Sequence, residues 1–377
     1  MTGSGQARSA RFRCSHARGG TWRECVDDCA ARIGRVGAGL GFVYFTDTLV
    51  PYAERVVAAL REKTGVGDWV GTVGVGILAT GAEYLDEPAL AVMVAELPPE
   101  SYRVFSGRAG LPRPGAVDAH FGVVHADPHT PDVAELIADM SGKVASGYLV
   151  GGLSSSRART VQVANDVISG GLSGAVLASS VTVTTRLTQG CAPLPPHGAT
   201  AGAGRYRVTE CEANVIATLD GRPALDVMKE AIGEVLARDL RRAAQFIHVG
   251  LPVSGSDRGD YLVRNLVGVD PRSKLIAIGD RVEPGAELMF CKRDAQSARQ
   301  DLLRILSELR AEVPGPPRGA LYYSCLGRGE HMFGERGAEL GIVREQLGDL
   351  PLVGFFCNGE ISHDRLYGFT GVLTLFH

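Results

Sequence analysis

Six polar residues near the carboxyl end are spaced for chemistry. Ser324, Cys325 and Arg328 fall in the run Ala-Leu-Tyr-Tyr-Ser-Cys-Leu-Gly-Arg-Gly (320–329). Cys357, Asn358 and Glu360 fall in Leu-Val-Gly-Phe-Phe-Cys-Asn-Gly-Glu-Ile (352–361). Glycines at 327, 329, 354 and 359 keep the main chain bare between them, which permits tight turns and close approach of a ligand to backbone N–H groups. An arginine fork suits a carboxylate. A glutamate suits an ammonium, and an asparagine both donates and accepts. Arg328 with Glu360 therefore matches the two ends of an amino acid; the plainer alternative is that they pair with each other. A second stretch, Gly151, Gly152 and Ser154 with Ser155 and Ser156, offers further hydroxyls and N–H groups. The candidate ligand-binding set is Gly151, Gly152, Ser154, Ser324, Cys325, Arg328, Gly329, Gly354, Cys357, Asn358 and Glu360.

Other groupings carry less. Cys325 beside Arg328 would suit a nucleophilic thiolate, yet neither Asp nor His stands at a telling offset. No catalytic residue is assigned, and an enzyme using Cys325 or Cys357 is the rival reading. His125-Ala-Asp-Pro-His129 lacks a third metal ligand at a recognisable spacing. Cys25 and Cys29 are one helical turn apart and should face a core, so Cys14, His16, Cys25 and Cys29 are not read as zinc ligands and no metal is expected. Gly74-Val-Gly-Ile-Leu-Ala79 resembles a dinucleotide fingerprint, but strand rather than helix follows it. No cofactor is expected; were haem to bind, His125, His129 and His248 are the candidate axial ligands.

These residues need elements to carry them. Gly39 to Thr46 alternates as a strand, Thr48 to Thr64 has a helical apolar face with Pro51 in its first turn, and Trp69 to Leu78 reads as one Gly-studded strand. The plan recurs: strand, helix, Val-Gly strand, turn, closing strand. It runs from Gly41 to Gly71, from His120 to Gly151 and from Ala320 to Gly354, a weak internal repeat. The intervening segment differs. It holds a Pro/Gly loop at 192–204, alternating strands around the hairpin signal Asp220-Gly221, a helix over Leu225 to Leu240 and a polar loop at 254–260. The expected architecture is α+β, with two domains of mixed, mainly antiparallel sheets and flanking helices, spanning 10–190 and 205–377.

Bulk properties narrow the partners. The chain has 377 residues, 45% apolar and 21% charged, with a formal net charge of −3. That is ample for two cores, and no basic run argues for nucleic acid. The polar start lacks a secretory apolar region, no stretch is long and apolar enough to span a membrane, and the eight cysteines are scattered. Together these point to a cytoplasmic protein with reduced thiols.

At this point the residues match a known family. The runs at 319–329, 352–361 and Tyr-Gly-Phe-Thr-Gly-Val-Leu-Thr-Leu-Phe (367–376) resemble the C-terminal FIST domain. Leu-Val-Gly-Gly-Leu-Ser (149–154) and Gly-Gly-Leu-Ser-Gly-Ala-Val-Leu (170–177) resemble the N-terminal one, and Thr-Gln-Gly-Cys-Ala-Pro (188–193) its junction. Gly-Thr-Val-Gly (71–74) departs from the Gly-Cys-Ser/Thr loop of many relatives, so that wall of the site differs. The resemblance implies a sensory module that binds a small ligand and signals to a separate protein partner. Some relatives bind haem and sense nitric oxide.

Overall fold

The computed structural model describes residues 11–107, 118–196, 198, 204–243, 246–253 and 260–377. Much of the loops at 192–204 and 254–260 lies outside them. The fold is α+β and falls into two compact units. One comprises the described residues up to Thr188, together with 302–366 and 370–377; the other comprises 189–301 and 367–369. The division follows space rather than chain order, because the last strands return to the sheets begun by the first.

The first unit is built from three six-stranded sheets of one design. In the first, Phe12–Arg18, Ala89–Ala95, Leu40–Thr46, Asp68–Gly74, Gln162–Ala164 and Asp166–Ile168 lie side by side. The second runs Tyr102–Ser106, Leu172–Leu177, Phe121–Ala126, Tyr148–Leu153, Glu360–His363 and Arg365–Tyr367. The third runs Val183–Gln189, Thr370–Phe376, Gly319–Cys325, Leu352–Cys357, Gly76–Ala79 and Ala82–Leu85. Each has a central parallel pair joined by a helical crossover.

The glycine spacing seen in the sequence is the register of these pairs. Gly71 faces Val43, Gly151 faces Val124 and Gly354 faces Tyr322. At each one a Cβ would collide with the facing residue's carbonyl oxygen, so only glycine fits. The hairpin that follows each pair does not stay with its own sheet. Gly76–Leu85 joins the third sheet, the hairpin of Gln162–Ile168 joins the first, and the one that opens with Glu360–His363 joins the second. The exchange is cyclic. It also divides the single strand expected over Trp69 to Leu78 into two, in different sheets, at Val75.

Burial follows the two faces of each strand. The inner faces share one core containing Phe42, Val123, Val150, Leu321, Phe355 and Phe376. The outer faces are covered by helices: Trp22–Ile33 and Ala53–Thr64 over the first sheet, Val133–Ser141 over the second, Ala295–Glu312 and Ala338–Leu347 over the third. Trp22–Ile33 opens with a reciprocal Thr21/Glu24 capping box. Ala53–Thr64 is preceded by a 3-10 turn, Asp47–Tyr52, rather than starting at Thr48. Pro51 lacks an N–H, and the tighter turn accommodates it.

The second unit holds a closed ring of antiparallel strands: Arg205–Glu212, Val215–Leu219, Leu275–Ile278, Tyr261–Asp270, Ile247–Pro252 and Glu287–Arg293, the last pairing back to the first. Asp220 and Gly221 both adopt positive φ, as the Asp-Gly hairpin signal requires. The helix expected over Leu225 to Leu240 is instead Ala224–Ile232 followed by two short helices, interrupted at Gly233, whose φ is +81°.

Candidate functional site

The strand Gly319–Cys325 ends in a turn whose next residues, Leu326 and Gly327, are half-buried. Arg328 then turns inward and is 1% exposed. Its partner is Glu339, in the helix Ala338–Leu347 and fully buried. Arg328 Nε donates to Glu339 Oε1 at 2.8 Å, and Nη2 lies 2.6 Å from the same oxygen. The Tyr322 hydroxyl donates to Oε1 at 2.6 Å, the Ser324 hydroxyl to Oε2 at 3.0 Å and the Gly329 N–H to Oε2 at 3.4 Å. The Phe333 ring lies 5.3 Å from the guanidinium carbon. Burial works against the charge of Arg328, and Glu339 more than offsets it. Even so, neither Nη1 nor Nη2 makes a hydrogen bond of good geometry.

Glu360 is the opposite pole. It is fully buried in the strand Glu360–His363. Its Oε2 accepts from Thr370 N–H at 3.1 Å and from the Thr370 hydroxyl at 2.7 Å, while Oε1 accepts no hydrogen bond of good geometry. Burial pushes its carboxyl up to about 8, opposed by Thr370, Arg328 and Cys325. Arg328 and Glu360 are thus within each other's field, and the ion pair that Arg328 makes is with Glu339.

The Gly/Ser loop does come to this place. Glu360 faces Gly152 in the sheet, and a Cβ on Gly152 would collide with Cys357 Sγ. Leu153 N–H donates to Gly359 O at 2.9 Å, and Asn358 N–H donates to Leu153 O at 3.1 Å. Cys325 and Cys357 face one another across the parallel pair; Cys325 is half-buried and Cys357 fully buried. Burial, then Glu360, pushes the Cys357 thiol well up. Asn358 is exposed. Ser154 is buried, donating to Ala126 O at 3.1 Å and lying 2.7 Å from the Thr72 hydroxyl. Gly151 and Gly354 are accounted for by strand packing. The loop contributes more through Ser155, whose hydroxyl donates to Phe356 O at 2.5 Å and accepts from Val75 N–H at 2.9 Å.

Sequence reasoning passed over Glu339, Glu83 and Tyr44. Glu339 had a signal: a charge beside Leu340, Ile342 and Val343, on a helix stripe that is otherwise apolar. Glu83 comes from the exchanged hairpin Gly76–Leu85, which no local pattern places here. It is 5% exposed, and neither oxygen makes a hydrogen bond of good geometry. Burial raises it to about 7, Gly337 N–H opposes this, and Glu339 and Glu330 add to it.

His125 faces Gly152 in the sheet, and His129 and His248 lie elsewhere. Tyr44, His125 and Tyr323 each follow the residue that faces a register glycine, and they meet in the shared core. The Tyr44 hydroxyl is 3.1 Å from His125 Nε2 and 2.9 Å from the Tyr323 hydroxyl. Burial holds His125 down to about 3. His129 bonds Asp127 at 3.0 Å. His248, in the second unit, packs on Phe369 with ring centres 4.3 Å apart. Among the described residues no group of three or more His, Cys, Asp or Glu is arranged to hold a metal ion, and no helix is long and apolar enough to cross a membrane.

Two family models match the chain: the FIST N domain over residues 39–222 and the FIST C domain over residues 224–363. Curated relatives include an uncharacterized protein of Mycobacterium tuberculosis, 32% identical over 345 residues, covering 85% of this chain and 86% of the relative. An uncharacterized protein of Mycobacterium bovis is 29% identical over 374 residues, covering 93% and 92%.

Proposed function

The chain belongs to the FIST family, whose domains are associated with sensing and signal transduction, and from that premise we propose that its first unit binds a small zwitterion, an amino acid or close relative, and reports occupancy to a separate protein. One observation carries this reading. Arg328 and Glu360 are both buried, yet each keeps one pole without a hydrogen bond of good geometry, Nη1 on one and Oε1 on the other. Such groups cost about 1–3 kcal/mol when left unmade, more when charged. A carboxylate on Nη1 and an ammonium on Oε1 would satisfy both. Cys325, Leu326 and Gly327, half-buried, and Asn358, exposed, border the approach. Glu339 then acts as the fixed counter-ion that holds the guanidinium in place. Burial pushes the Cys357 thiol well up, which argues against a nucleophilic role for it.

Calorimetric titration of the full chain with a panel of amino acids tests the reading. At least one should bind, raise the melting temperature, and lose affinity in the Glu360→Gln variant. A panel with no binder, or binding unaffected by Glu360→Gln, would overturn it. The signalling half predicts that saturating ligand changes which proteins the chain retains, and identical retention with and without ligand would count against it.

A further inference from the structure

Resting on the zwitterion reading, we infer that Glu83 recognises a second cationic group, so that the guest is a diamino monocarboxylic acid of the lysine or ornithine type.

The argument is one of complementary charge. Three buried side chains around the segment 325–337 keep polar atoms without a hydrogen bond of good geometry: Arg328, Glu360 and Glu83. One is cationic and two are acidic. Glu339 is not a fourth, because its oxygens accept from Arg328, Tyr322 and Ser324. The complement of one cationic and two acidic side chains, the acids giving up their protons on binding, is a molecule with one carboxylate and two ammonium groups.

Position supports this. Glu83 approaches the loop at Gly329, the residue after Arg328: a Cβ built there would lie 3.5 Å from Glu83 Oε2 and 2.8 Å from Phe356 Cζ. Gly329 has φ +56° and ψ −141°, so the loop presents bare backbone between the arginine and the second acid. Phe356, itself buried, is the apolar side chain nearest to Gly329, where the methylenes linking two charged ends would lie. Glu83 also has near neighbours of both signs, Glu330 and Glu339 against Arg336. Its carboxyl, raised to about 7, holds a proton that an incoming ammonium would displace to solvent. Its place on a hairpin borrowed from the first repeat means that the site, with Gly152 from the second, draws on all three repeats.

The test compares lysine with norleucine, which has the same chain length without the terminal amine, and with alanine, by calorimetry on the full chain at pH 7. Lysine should bind at least tenfold more tightly than norleucine. Glu83→Gln should bring lysine to the norleucine level. Should Glu83→Gln fail to fold, Nε-acetyl-lysine on the unaltered chain replaces it and should bind like norleucine. Equal affinity for lysine and norleucine would overturn the role of Glu83 and leave the zwitterion reading standing. No binding of lysine, norleucine or alanine would overturn both.

Discussion

Arg328 Nη2 and Glu339 Oε1 lie 2.6 Å apart, with side-chain exposures of 0% and 1%. A pair so placed gains little over an apolar pair, but half of it is costly to leave behind. Glu339→Ala should destabilise the chain by about 3–5 kcal/mol, measured by urea unfolding. A loss under 1 kcal/mol would show that water reaches the guanidinium.

Glu360 and Glu83 give the protein a pH signature. Folded, they titrate at about 8 and about 7, against an ordinary value of 4.5. Between roughly pH 4.5 and pH 7 to 8 the folded chain therefore holds protons that the unfolded chain has lost. Stability should fall as pH rises through that window, by up to about 1.4 kcal/mol per pH unit for each group, and this contribution should be flat above it. In Glu360→Gln its share of the slope should vanish. Parallel stability curves for the two proteins between pH 5 and 8 would refute the assignment.

The register glycines should not tolerate a methyl group. Gly151→Ala and Gly354→Ala each force a Cβ into a carbonyl of the facing strand, and each should cost roughly 4 kcal/mol or more, as the severest core changes do. Gly341, inside the helix Ala338–Leu347, is the control: a Cβ there meets nothing within 4 Å. Gly341→Ala should add about 0.5–1 kcal/mol.

Tyr44 joins His125 and Tyr323 in the core. Tyr44→Phe leaves both without that partner and should cost about 1–3 kcal/mol. Because burial holds His125 neutral, near 3, the loss should be the same at pH 5 and pH 8. A loss that grows at pH 5 would mean that His125 gains charge there.

Much of this was written in the chain. The Val-Gly strands and the repeat they mark follow from glycine spacing, since glycine is the residue that a backbone collision demands. Arg328, between two glycines, and Glu360, directly after Gly359, were legible as charges beside bare backbone. Their partners were not. Glu339 lies a helix away and Glu83 lies in another repeat, and sequence distance carries no record of which sheet a hairpin joins. The split of Trp69 to Leu78 at Val75 was hidden for the same reason: two short strands in different sheets share one apolar run.

The cyclic exchange of hairpins has a mechanical consequence. Every lobe grips the next and is gripped by the one before, as in a ring of linked hands. A cut in any one connection between lobes leaves the ring closed by its remaining clasps, whereas removing any lobe strips an edge from one neighbour and strands an arm of another. Such an assembly comes apart as a whole or not at all.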